Sequence, residues 1–168
     1  FRAFPYLYDG DLAYERTYLQ SYRDSESAVV VGAFEGDTLV GASTAAPLTD
    51  HAEDFAAAFA GSGLDLGEVF YCAESVLFPE YRGQGLGHRF FDAREAHARR
   101  LGYKMTAFCG VQRPPDHSLR PIDYAPLDPF WRKRGYLPLE GAVAQYSWKD
   151  LDQVEESLKP LQFWIRTL

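Results

Sequence analysis

The chain has 168 residues and a formal net charge of −7, with 46% hydrophobic, 15% aromatic and 24% charged residues. That mix suits one soluble domain that buries a core without disulfides, and no run of Lys and Arg interleaves with aromatics, which excludes the footprint of a nucleic-acid binder. No apolar stretch approaches the ~20 residues of a membrane span, so no membrane partner is expected.

Along the chain, residues 11–22 place Leu12, Glu15, Tyr18, Leu19 and Tyr22 at helical spacing, with Asp9 or Asp11 as the cap. Two β-rich runs, 28–34 and 38–46, flank Glu35-Gly36-Asp37 and predict an antiparallel hairpin. Residues 50–60 read as a short helix and 61–67 as a Gly-rich loop, a segment expected to overlie a substrate cleft. A strand over 69–78 stops at Pro79, which cannot donate to a ladder; a helix over 88–101 stops at Gly102; a strand follows over 104–111. Beyond the Pro-rich loop 112–126, a short helix over 127–134 starts from Asp128 as its cap. Strands over 142–148 and 161–165 enclose a helical patch near 152–158. The run Phe163-Trp164-Ile165 serves either as a core strand or as an edge that pairs with a second copy to give a homodimer. The order predicts an α/β sandwich around a mixed sheet. Cys72 and Cys109 lie in separate strand-like runs without metal-site spacing, so they read as buried free thiols; no metal and a cytoplasmic location are expected.

The chemistry concentrates in Glu74-Ser-Val-Leu-Phe-Pro-Glu-Tyr-Arg-Gly-Gln-Gly-Leu-Gly87, a strand that turns through three glycines into a helix. Glycines at 83, 85 and 87 leave amides unshielded and the helix adds its positive end, which makes an anion site. A P-loop needs Gly-Lys-Ser/Thr, yet His88 and Arg89 follow Gly87, and the glycine spacing does not fit the dinucleotide fingerprint. The loop resembles that of the GNAT superfamily of acetyl-CoA-dependent N-acetyltransferases, whose Gln/Arg-x-x-Gly-x-Gly/Ala pattern matches Arg82, Gly85 and Gly87, with the Pro-x-x-Arg-Gly prelude at Pro79 to Gly83.

The resemblance implies a mixed, mostly antiparallel central sheet flanked by helices over the single domain 1–168; that fold usually opens with a strand and helix before the first hairpin, so the domain is expected to lack an N-terminal strand or helix. It implies acetyl-CoA as acyl donor and direct transfer to an amine. Backbone amides of Gly83, Gln84, Gly85, Leu86, Gly87 and His88 would cradle the pyrophosphate, Arg82 and Arg89 would add charge, and the pantetheine arm would lie along Val76 and Leu77.

Transfer needs a base for the amine and a proton for the leaving thiolate. Relatives often carry where Glu74 stands a carboxylate that deprotonates the amine directly or through water; Glu74 is either that base or a structural hydrogen-bonding group, and its apolar neighbourhood would raise its pKa on burial. Their general-acid Tyr, in Phe-Tyr-x-x-x-Gly-Phe, is replaced by Trp131 in Phe130-Trp131-Arg-Lys-Arg-Gly135-Tyr136. An indole N–H donates a hydrogen bond but is no acid near neutral pH. Tyr124 is the substitute, and Asp116, His117 and Trp131 are the candidates for binding the acceptor. Arg132, Lys133 and Arg134 form either a solvated helix face or a contact with the donor's 3′-phosphate, and His51, His88 and His97 read as solvated surface or helix residues. The expected acceptor is a small-molecule amine; the alternatives are a non-catalytic acyl-CoA-binding module and an enzyme acetylating a protein N-terminus or lysine.

Overall fold

A computed structural model describes the whole chain, Phe1–Leu168. Six strands form one sheet in the order β1-β2-β3-β4-β6-β5. They are β1 (Val29–Glu35), β2 (Thr38–Pro47), β3 (Val69–Leu77), β4 (Met105–Val111), β5 (Leu137–Trp148) and β6 (Ser157–Thr167). All neighbours are antiparallel except β3 and β4, whose parallel pairing requires a crossover. Helix α3 (Leu86–Arg100) supplies it; α1 (Leu12–Asp24) and α2 (Ala52–Phe59) precede it and α4 (Asp128–Lys133) follows.

The period of two along β3 divides the core. Val69 and Tyr71 pack with Leu48, Phe55, Phe59 and Phe163 on the α2 face, whereas Phe70 and Cys72 pack with Phe91, Phe108, Tyr136 and Trp164 on the α3 face. Asp11 caps α1, its side chain accepting from the Tyr14 N–H at 2.7 Å, and Gly102 ends α3 with φ +84°.

Residues 1–8 form a strap held by consecutive carbonyls. Arg113 donates to Pro5 O at 2.7 Å, Arg113 and Trp148 both donate to Tyr6 O at 3.0 Å, and the Leu151 N–H donates to Leu7 O at 2.7 Å. Arg113 itself is fixed by a buried two-pronged pair with Asp150, at 2.7 and 2.8 Å.

Three expectations change, and one open alternative closes on the core strand. No helix forms near 152–158: β6 already begins at Ser157, opposite Trp148, and pairing along the β5–β6 hairpin satisfies more backbone groups than one isolated turn of helix. The cap of α4 is Leu127, so Asp128 lies inside the first turn, where Pro129 follows it and its charge still favours the helix end. Helix α2 buries Phe55, Ala58 and Phe59 in the core instead of lying over a cleft. Strand β6 is bonded on both edges, with Phe163 and Trp164 buried, which leaves the 163–165 run no edge to offer a second copy.

Candidate active site

Strands β3 and β4 pair only at Val69, Phe70 and Tyr71, and then part. The edge of β3 facing β4 therefore has no strand partner from Cys72 to Leu77, while the opposite edge stays paired with β2 out to Leu77. Beside this end of β3 lies a cleft of about 820 Å³, walled by the paired ends of β2 and β3, the strap and the loop 121–127. Val76, Leu77, Arg82, Tyr6 and Tyr124 all line it.

At the mouth, the chain turns into α3. Gly83 and Gly85 adopt φ +73° and +82°, the left-handed region that favours glycine, and a Cβ on either would meet nothing within 4 Å. Of the amides from Gly83 to His88, none has an acceptor within the protein, and the first turn of α3 carries no acidic side chain. Six donors without acceptors thus stand at the positive end of a 15-residue helix. From behind, Gln84 donates to Glu80 O at 3.0 Å, Arg82 to Leu77 O at 3.2 Å, and Tyr81 to the Glu35 carboxylate at 2.6 Å. This set fits a pyrophosphate: many amides for an extended anion, with room where side chains are missing.

Glu74 lies deeper on β3, where the β2–β3 register slips: Ser43 faces Ser75 but Ala45 faces Cys72, so β3 carries one extra residue. The Glu74 N–H donates to Thr44 Oγ1 at 3.1 Å instead of to a ladder carbonyl. Its carboxylate has no hydrogen-bond partner in the protein, and burial, assisted by the Glu15 carboxylate and opposed by Arg94, pushes its pKa up to about 7. Burial also raises the phenols of Tyr6, Tyr8, Tyr18 and Tyr71, each further raised by the charge of Glu74. Cys109, its Sγ 3.2 Å from the Tyr71 hydroxyl, is pushed up to about 12 by burial and remains a thiol at neutral pH.

The candidates separate. Tyr124 stands in the cleft, its ring 4.6 Å from that of Phe4 and under the Arg120 guanidinium. His117 packs on Phe4 and accepts from the Leu119 N–H, and Asp116 is exposed on the same loop; neither is brought to Glu74. Trp131 packs against Phe108 and Trp164, and its ring lies 2.9 Å from where a Cβ on Gly110 would stand, so it belongs to the α3-face core. Arg89 lines a second groove, beside β1, which Gln84 and Leu86 of the loop also line. Of the three basic residues after Trp131, Arg134 is locked onto Asp92 and Glu95 and donates to His88 O, and Arg132 lies over Trp164. Of the histidines, His88 and His97 are half-buried helix residues of α3, His88 packed on Phe130 and His97 bonded to Ser27 O, whereas His51 is buried against the Tyr22 hydroxyl. Tyr6 and Tyr8 were not foreseen, because nothing local in Phe-Arg-Ala-Phe-Pro-Tyr-Leu-Tyr marks a segment that reaches the site through Arg113, Trp148 and Leu151, over a hundred positions away.

Against known families, residues 2–120 match the model of the acetyltransferase (GNAT) family. No curated protein matches the sequence. Among solved structures, an aminoglycoside 6′-N-acetyltransferase complexed with coenzyme A superposes with a TM-score of 0.60 at 15% identity, over 98% of this chain and 83% of the other. A GCN5-related N-acetyltransferase from Kribbella flavida gives 0.57 at 14%, over 96% and 80%. The ribosomal-protein-S18-alanine N-acetyltransferase from Escherichia coli gives 0.56 at 10%, over 91% and 76%. At such identities these likenesses speak for the fold, and they agree with the mixed, mostly antiparallel sheet flanked by helices.

Proposed function

The chain belongs to the GNAT acetyltransferase family, and from that premise we propose that it transfers an acetyl group from acetyl-CoA to the amine of a small molecule. The observation that carries this reading is the row of unpartnered amides from Gly83 to His88, at one end of a free β3 edge whose other end carries Glu74. The amides hold the pyrophosphate, and the free edge at Val76 and Leu77 takes the pantetheine arm as an added strand.

Acetyl-CoA supplies a thioester whose acetyl carbon the amine attacks. Glu74 removes the proton that the amine loses, and a pKa of about 7 lets it do so at neutral pH and pass the proton on. As the C–N bond forms and the C–S bond breaks, Tyr124 gives a proton to the departing sulfur from its place in the cleft. Asp116, His117 and Trp131 take no part in this reading. A small acceptor is favoured because the strap brings Tyr6 and Tyr8 to Glu74 while α1 brings Tyr18 and Tyr22, which closes the surroundings of the carboxylate on two sides. The two free thiols, one fully buried, fit the cytoplasm.

The test is thiol release from acetyl-CoA in the presence of a panel of primary amines. Turnover with at least one amine, and a loss of roughly 10²–10⁴-fold in kcat for Glu74→Gln with acetyl-CoA affinity retained, is the expected result. Binding without turnover on any amine would leave only a donor-binding module. Undiminished turnover by Glu74→Gln would remove the base.

A further inference from the structure

Arg94 sits on α3 among the residues of the buried stripe, between Phe90 and Phe91 on one side and Ala98 on the other, and is 1% exposed. The other two well-buried arginines meet carboxylates, Arg113 at Asp150 and Arg134 at Glu95, whereas Arg94 makes no salt bridge. Its partners are three carbonyls. Nε donates to Phe90 O at 3.2 Å, and Nη1 donates to Thr44 O and Glu74 O, both at 3.2 Å. The guanidinium lies 4.7 Å from the centroid of the Phe91 ring.

An unpaired cation is among the most costly groups to bury, and core filling alone is better served by an apolar side chain. What distinguishes this place is the slip between β2 and β3. Thr44 there faces two residues, Ala73 and Glu74, and the ladder cannot satisfy both. Thr44 Oγ1 takes the Glu74 N–H, and Arg94 takes the two carbonyls, so the side chains of two residues replace the missing ladder bonds.

We propose that Arg94 is a positioning residue for acetyl transfer: its buried guanidinium fixes the slipped stretch of β3 and so aims Glu74 at the incoming amine. The proposal rests on the reading of Glu74 as the base. Arg94 also acts on Glu74 by charge. The carboxylate is faced by Glu15, Tyr18 and Tyr22 from α1, by Tyr6 and Tyr8 from the strap, by Tyr71 of its own strand and by Cys109 of β4. Among the arginines and lysines, Arg94 is the one whose charge lowers its pKa.

Two variants divide geometry from charge, measured on the whole chain with the best amine and with folding followed by circular dichroism. Arg94→Gln keeps a donor without the charge; Arg94→Lys keeps the charge on one nitrogen that cannot span three carbonyls. Both lower kcat, by about tenfold, while KM for acetyl-CoA stays within about twofold, because a displaced base costs chemistry and not donor binding. The acid limb of kcat moves to higher pH in Arg94→Gln, since loss of a cation makes Glu74 harder to ionise, and stays in place in Arg94→Lys.

Wild-type kcat in either folded variant overturns the proposal, as does an equal loss in both with unmoved acid limbs, the signature of core filling. If Arg94→Gln does not fold, Arg94→Lys decides on kcat against KM alone. Glu74→Gln runs in parallel: full activity there sinks the base reading itself, whereas an inactive Glu74→Gln beside a fully active Arg94→Lys sinks only the role of Arg94.

Discussion

Gly85→Ala isolates the anion loop from the rest of the protein. A Cβ at this position meets no atom within 4 Å, so the substitution creates no clash, and its cost to the fold is that of holding alanine at φ +82°. Left-handed backbone costs a non-glycine residue about 1–2 kcal/mol, which for a domain of this size lowers Tm by roughly 2–8 °C. The methyl group projects into open space beside the amides from Gly83 to His88, where it holds a phosphate away from at least one donor. A hydrogen bond to a charged group is worth about 1.5–3 kcal/mol, so acetyl-CoA should bind roughly 10- to 150-fold more weakly. Calorimetric titration gives the second quantity and differential scanning fluorimetry the first. Gly36→Ala, a left-handed glycine in the β1–β2 turn at φ +57° with equally open space, should lose Tm without losing affinity. Equal affinities in the two variants would refute the reasoning, because the loss at Gly85 would then be strain alone.

Three further outcomes follow from the packing and the charges. Activity should fall about tenfold per pH unit below the Glu74 pKa of about 7, read from kcat/KM between pH 5 and 9. Because folding raises that pKa from 4.5, the stability tied to the protonated form is complete below 4.5 and lost as pH rises through about 7. Glu74→Gln should therefore melt higher than the wild type at pH 8, the reverse of its effect on turnover. Arg113→Met leaves Asp150 buried with only Lys159 at 3.7 Å and releases the strap carbonyls; about 3–5 kcal/mol should be lost, a fall in Tm of roughly 6–20 °C, and Arg113→Met/Asp150→Asn should recover part of it. Arg113 holds the Asp150 carboxyl below its usual range against the push of burial, so this pair supports the fold above the ordinary aspartate pKa and weakens as pH falls toward the lowered one. Gly110→Ala drives a methyl into the Trp131 ring, 2.9 Å from the new Cβ, and should cost about 1–3 kcal/mol with a changed near-ultraviolet dichroism, while KM for the amine stays put if Trp131 is only packing.

The loop proposed to hold the donor was legible because it is local: glycines at fixed offsets between a strand and a helix set the backbone angles, and the free amides follow from them. Glu74 was legible as a position, but not the slip that turns it, which arises from the fit of β2 to β3 at Thr44. Arg94 carried a signal that spacing alone could have raised, a charged residue four after Phe90 and four before Ala98 on an apolar stripe. Tyr6 and Tyr8 carried none, since they reach Glu74 through contacts with Arg113, Trp148 and Leu151 far along the chain. The helix over 152–158 failed because a local propensity lost to the pairing of β5 with β6, and Trp131 left the acceptor site because its ring fills the gap beside Gly110.

The most direct test of the account is an amide proton–nitrogen correlation spectrum recorded while acetyl-CoA is added. The account predicts that the largest shifts fall on Gly83 to His88 and continue along Val76 and Leu77 toward Glu74, with smaller ones on the loop that carries Tyr124. Shifts centred on Val31 to Glu35 of β1 with none along Val76 and Leu77, or no shifts at millimolar acetyl-CoA, would contradict it.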